Sequence, residues 1–189
     1  CAKRLGEFVA AAVKSTSIHN EIVERFSLAK EGEIANNIQK SLIPAKLPAI
    51  PSISIGTVFN PAENICGDYC DVMVSRKDRI SFVMADVTGK SLNSMSIMLQ
   101  LRAMLRLIIN TTQSAGTILS WANRGISSEN NTVDHFASVA LLIYDSVNSK
   151  IQFASGGTNP IFIYSSQTET FKEISGSQEP VGVEKNTEY

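Results

Sequence analysis

Apolar residues recur at helical spacing through the first part of the chain. Leu5, Phe8, Val9, Ala12 and Val13 are followed by Ile22, Val23 and Phe26, then by Ile34, Ile38 and Leu42. That period predicts one helix from residue 1 to about 42. Glu7, Lys14, Glu21, Glu24, Arg25, Lys30, Glu31 and Glu33 fill its other faces, and Pro44, Pro48 and Pro51 end it. A helix of this length exceeds what one small domain can pack. It is expected to join an upstream domain to this one, or to pair with its copy in a homodimer. The plainer alternative is an amphipathic helix packed along its own core.

Beyond the prolines the period changes. Ile53 to Phe59 and Tyr69 to Val74 read as strands, with Arg76-Lys77-Asp78 as a turn before a strand from Arg79 to Val87. The run Ile80, Phe82, Val83, Met84, Ala85 predicts burial on both faces of that last strand. Two helices follow, Ser91 to Asn110 and Ser114 to about Glu129. Ser91, Asn93 or Ser94 can cap the first and Ser114 the second. After a polar loop from Glu129 to Asp134, strands are expected at His135–Tyr144, Ile151–Ala154, Ile161–Tyr164 and Phe171–Ile174. Strands, two helices and a meander of strands make an α+β fold with antiparallel sheet packed by helices.

Composition narrows the function classes. With 43% hydrophobic and 19% charged residues in 189, the chain has the balance of one globular domain, with room for an appendage. A formal net charge of -1 leaves no electrostatic footprint for nucleic acid or an anionic membrane. No apolar run is long enough to span a bilayer. Cys66 and Cys70 are four apart with no histidine nearby, which argues against zinc. Free thiols fit a reducing cytoplasm. A start at Cys1 points to a piece of a longer protein.

Gly89-Lys90-Ser91 has the ending of a phosphate-binding loop, but Met84 stands where that loop needs its first glycine. No Gly-x-Ser-x-Gly is present to accompany His135. Asp68 and Asp86 differ in kind, because each lies at a strand end beside a glycine turn. Neighbouring strand ends can project two carboxylates into one small volume, where a divalent cation relieves their repulsion. Oxygen-only ligands favour Mg²⁺ or Mn²⁺, and such ions make a bound water nucleophilic towards phosphorus. Spacing alone leaves open that both acids are plain turn residues.

A resemblance bears on that choice. Cys66-Gly67-Asp68-Tyr69-Cys70-Asp71 is similar to the Gly-Gly-Asp-Tyr-x-Asp motif of bacterial metal-dependent serine/threonine phosphatases (PPM type) of the SpoIIE/RsbU-like branch. Ala85-Asp86-Val87-Thr88-Gly89-Lys90 resembles their Ala-Asp-Val-Ser/Thr-Gly-Lys. Further likenesses fall in the same order: Ile38-Gln39 to Pro44, Asn60-Pro61-Ala62, Phe136-Ala137-Ser138, Ala154 to Pro160, and Glu179 to Val183. The resemblance implies a β-sandwich flanked by helices behind a linker helix. It implies that Asp68 ligates one metal and that Asp86 bridges two, with the Val87 carbonyl as a further ligand. Gly67 and Gly89 would let the backbone turn tightly beside the ions, and a metal-activated water, with no catalytic side chain, would attack phosphoserine or phosphothreonine.

The same likeness implies a phosphorylated protein substrate, an anti-sigma antagonist of STAS type in a partner-switching pathway. It also implies an upstream sensory domain, of which residues 1–33 are the linker and possible GAF-like end, with the phosphatase domain over 34–189. The chain departs from the family at Cys66, Ser91, Asn93, Ser94, Met95 and Thr158. The family's later Thr-Asp-Gly and Asp-rich motifs are expected beyond Tyr189. These departures keep a second reading open, a non-catalytic phosphatase-like module that binds a protein partner.

Overall fold

The computed structural model describes residues 2–44, 46–51, 53–60, 66–75, 79–89, 91–127, 136–158, 160–176 and 178–189. The expected turn at Arg76–Asp78 and loop at Glu129–Asp134 lie outside the described residues, as do Pro61, Ala62, Lys90, His135 and Asn159.

Helix α1 (Ala2–Leu42) is continuous, as its period predicts. Residues 3–31 are exposed on every face, and burial begins only at Gly32, Ala35 and Gln39. Those three share one helical face, so the helix meets the body of the protein through its last turns. Phe8, Val13 and Phe26 stay in solvent.

Strands β1 (Tyr69–Ser75), β2 (Arg79–Val87), β3 (Ala137–Asp145) and β4 (Lys150–Gly156) form one antiparallel sheet in that order. Strands β5 (Ile161–Ser165) and β6 (Thr170–Ile174) make a separate two-stranded hairpin, in which the Tyr164 and Phe171 rings pack 4.9 Å apart. Between β2 and β3 run α2 (Leu92–Ile108) and α3 (Ala115–Ile126). Of the three candidate caps of α2, Ser91 is the N-cap and Ser94 its reciprocal partner: each side chain accepts from the other's backbone N–H. Ser114 caps α3 through the Thr117 amide.

One face of the sheet is covered. Met98, Leu101 and Leu105 of α2 and Ile118, Leu119 and Ala122 of α3 pack with Val83, Val139, Leu141 and Ile143. Each such large side chain contributes roughly 1.5–3 kcal/mol on full burial. The other, more open face is buried only in part. The expectation of burial on both sides of β2 holds only at its start: Ile80, on this second face, is 2% exposed and Phe82 is half-buried, whereas Met84 is 67% exposed. The apolar run is thus buried on both faces near Ile80 and on one face only at Met84.

Ile53–Phe59 is also corrected. It forms no strand, only an isolated bridge from Ile53 to Ile50. A strand needs a ladder partner, and among the described residues this segment pairs with no strand. Instead Ile55–Val58 line a cleft of about 210 Å³ with Pro44, Cys70, Val72, Phe82 and Met84.

At the far end of the chain, β4 leaves β3 after Gly156, and Val181 takes the place beside Ala137 with two backbone bonds of 2.8 and 2.9 Å. Buried Asn123 of α3 holds this tail. It donates to the Glu184 and Lys185 carbonyls and accepts from the Gly182 amide.

The helix and sheet layers are joined by a charge pair. Asp71, whose side chain is fully buried, receives Nε and an Nη of Arg106 at 2.7 and 2.9 Å, the Tyr69 hydroxyl at 2.7 Å and the Val72 amide at 2.9 Å. Arg106→Met would leave that carboxylate with less than it needs in a dry site. Because Arg106 is itself partly exposed, the loss should be at the low end of the range for breaking such pairs, about 3 kcal/mol. Arg106→Lys, which cannot make the fork, should recover only part. Urea denaturation of the two variants checks both values; an Arg106→Met midpoint equal to wild type would mean the pair contributes nothing.

Candidate metal centre

The β1–β2 register builds the site. Tyr69 pairs with Ala85 and Asp71 with Val83, and these four side chains face the helices. Their neighbours Cys70, Val72, Phe82 and Met84 face the open side. Asp68 lies just outside β1, one step beyond the first pair, and extending the register by that step would set it opposite Asp86 on the open face. Directly opposed residues place their Cβ atoms about 4.5–5.5 Å apart. The two acids feel each other: the Asp86 carboxyl is pushed above the usual carboxylate range, first by partial burial, then by the charge and hydrogen bonding of Asp68.

Each acid is held by a different neighbour. The turn that carries Asp68 is fixed from α1. Gln39, 2% exposed, donates through Nε2 to the Cys66 carbonyl at 2.8 Å and the Asp68 carbonyl at 3.2 Å. The Asp68 amide donates to Cys66 Sγ at 3.3 Å. Burial pushes the Cys66 thiol up, which keeps it neutral. Gly67 is buried between these anchors, and a Cβ there would overlap the Val87 carbonyl oxygen. The close approach, not a left-handed backbone, requires glycine, and it brings the Val87 carbonyl to the same end of the sheet as the two acids.

Asp86 is fixed from β3. It pairs with Ser138. Just beyond it, the Thr88 amide donates to the Phe136 carbonyl at 2.9 Å, and Thr88 Oγ1 both donates to that carbonyl and accepts the Phe136 amide. Gly89 then turns at φ +93°, a conformation that favours glycine. The later glycine turn comes to the same place: Gly157, at φ +92°, lies against the Ser138 side chain. Thr158 follows it, exposed.

Of the residues singled out by sequence, Asp68, Asp86, the Val87 carbonyl and Gly67 meet, and Gly89 ends the same strand. Their donors are oxygens only, which suits a small hard cation. Among the described residues no group of three or more His, Cys, Asp or Glu side chains forms a metal cluster. Sequence reasoning missed the roles of Gln39, Thr88 and Arg106. For Gln39 the available signal was a polar residue on the stripe of Gly32 and Ala35.

The family model of stage II sporulation protein E (SpoIIE) matches residues 76–189. Phosphoserine phosphatase RsbU of Bacillus subtilis is 26% identical over 162 residues, covering 86% of this chain and 48% of that protein. The chain thus spans about half the length of that relative. Among solved structures, the SiaA-PP2C domain of Pseudomonas aeruginosa superposes with a TM-score of 0.69 at 14% identity, covering 88% of this chain and 67% of that one. The PP2C phosphatase domain of SpoIIE from Bacillus subtilis, solved with a regulatory-domain fragment, gives 0.54 at 18% identity, covering 63% and 34%. At these identities the structures establish likeness of fold.

Gly67→Ala tests the close approach. The added methyl meets backbone, which cannot rotate aside, so the turn must move off Val87 at a cost of about 1–3 kcal/mol. Thermal and urea unfolding should register that loss. Gly89→Ala, placed at a positive φ, should cost at least about 1 kcal/mol; equal stability of Gly67→Ala and wild type would show that the turn has slack.

Proposed function

We propose that this chain, which belongs to the SpoIIE family, is the phosphatase domain of a protein that hydrolyses phosphoserine or phosphothreonine on another protein with the help of Mg²⁺ or Mn²⁺. One observation carries the reading: Asp68, just before β1, lies near enough to Asp86 at the end of β2 to act on its carboxyl, and the Val87 carbonyl lies against Gly67 beside them. Asp68 and Asp86 supply the anionic oxygens, and the Val87 carbonyl a neutral one. When bound, a pair of such ions supplies an acidified water as nucleophile and screens the charge on the phosphoryl oxygens. The chain's own part is to hold the donors still. Gln39 and Gly67 fix the turn bearing Asp68, while Thr88 and Gly89 fix the end of β2 bearing Asp86. The open face and its adjoining cleft leave the carboxylates accessible to a bulky phosphoprotein.

The substrate in this reading is a phosphorylated STAS-type anti-sigma antagonist, and the pathway is partner switching. Residues 1–33 form the connector to an upstream sensory domain and pair with their copies in a homodimer; residues 34–189 are the phosphatase part. The onset of burial at Gly32 and the exposed apolar side chains before it support that division. Among the described residues no helix is long and apolar enough to cross a membrane, and free Cys66 and Cys70 suit a cytoplasmic protein.

A second reading is a non-catalytic module that keeps the fold to bind a partner. It is favoured by the exposed Thr158 in the later turn and by a donor set of two carboxylates. Phosphate release from a phosphoserine protein, measured on the full-length protein with and without Mn²⁺, separates the two. The phosphatase reading expects Mn²⁺-stimulated release that falls by more than about 100-fold in Asp86→Asn, since even groups that only support a ligand contribute 10–100-fold. Absence of stimulated release, with Asp86→Asn no different from wild type, would leave the binding module.

A further inference from the structure

We infer that Gln39 is a positioning residue for Asp68: from the last turns of α1 it sets the backbone on which that carboxylate stands. The inference rests on the metal reading above for its consequence, but on hydrogen bonds and burial for its substance. The Gln39 side-chain amide is buried, and a buried amide must find partners or lose the free energy of its hydration. It finds two, and they are not scattered. The Cys66 and Asp68 carbonyls, at 2.8 and 3.2 Å from one nitrogen, flank Gly67 on either side. Both precede Tyr69↔Ala85, the first pair of the β1–β2 ladder, so the sheet does not fix them.

Gly67 is the reason an anchor is needed. Glycine has the widest choice of backbone conformation, so a turn through it does not hold its own shape. The contact with the Val87 carbonyl limits the turn from one side only. Gln39 limits it from the other, and the Asp68 amide, bonded to Cys66 Sγ, closes the third. Held at both carbonyls, the peptide planes around Asp68 have one orientation, and the carboxylate is aimed at Asp86. Ligands must keep their place to about 0.5 Å to hold a metal in a productive geometry. Asp86 has an equivalent fixture in Thr88, so each acid is aimed by a residue outside its own strand pairing.

Two substitutions on the full chain test this. Gln39→Met keeps the bulk and removes the donors; Gln39→Glu keeps the shape and turns an acceptor towards two carbonyls. Hydrogen exchange, run without metal, should show the backbone amides of Gly67 and Asp68 exchanging about tenfold faster in Gln39→Met, the effect of losing one or two ordinary hydrogen bonds. The β2–β3 amides and the melting midpoint should stay near wild type. Mn²⁺ affinity, read by the EPR signal of the free ion, should weaken by about 10–100-fold, and Gln39→Glu should be no better.

Unchanged exchange at Gly67 and Asp68 would overturn the inference. So would faster exchange spread evenly over the sheet with a lowered midpoint, which marks a merely structural glutamine. Faster local exchange with unchanged Mn²⁺ affinity would overturn its bearing on Asp68. A wild-type chain that takes up no Mn²⁺ would sink the metal reading, while the exchange data would still decide whether Gln39 holds the turn.

Discussion

The pairing register of β1 on β2 is the constraint on which the rest depends. A slip of one residue would carry every side chain of β1 to the opposite face. Asp68 would then leave the open side and Asp86, and Asp71 would leave the dry side and Arg106. The second consequence protects against the first. A buried carboxylate without its guanidinium is costly, so the Asp71–Arg106 pair penalises the wrong register in addition to the hydrophobic pattern of β1. Tyr69 adds to this through its bond to Asp71, with its own hydroxyl pushed well above the usual range by burial and by that carboxylate.

The short stretch from Cys66 to Asp71 therefore holds two acids with opposite tasks. They are three residues apart, an odd number, and in a strand that puts them on opposite faces. Asp68 is exposed and faces another acid; Asp71 is buried and faces a cation. Sequence alone marked Asp68 through its glycine turn, but it had no means of separating the two roles. The needed fact was which face the helices cover, and that depends on α2, whose Arg106 lies 35 positions away.

Much of the fold was legible because its signals are local. The period of α1, the capping serines Ser91 and Ser114, and the alternation in β3 each act within a few residues, and each element formed close to where it was expected. The failures were non-local. Ile53–Phe59 has the composition of a strand, but a strand exists only beside another, and no described edge receives this one. Met84 has the hydrophobicity of a core residue, but whether a sheet face is covered is decided by other elements. At the site, the acids and glycines could be singled out because turn chemistry is written in neighbouring residues. Gln39 and Thr88 could not, because their partners are remote carbonyls.

Proximity and aim have separate origins in this site. The sheet supplies approximate proximity: the pairing of β1 on β2 brings the stretch just before Tyr69 to the end of β2 that carries Asp86. Aim comes from outside the pair, from β3 on one side and from α1 on the other. The two supports are not equal. Thr88 directly follows a ladder of nine pairs and continues it through its bonds to Phe136. Gln39 belongs to a helix of 41 residues, about 60 Å long by its rise, of which residues 3–31 are exposed. Only the face of Gly32, Ala35 and Gln39 is buried. The exposed length of α1 thus joins the body through the turns that carry Gln39, the residue bonded to the backbone on either side of Gly67.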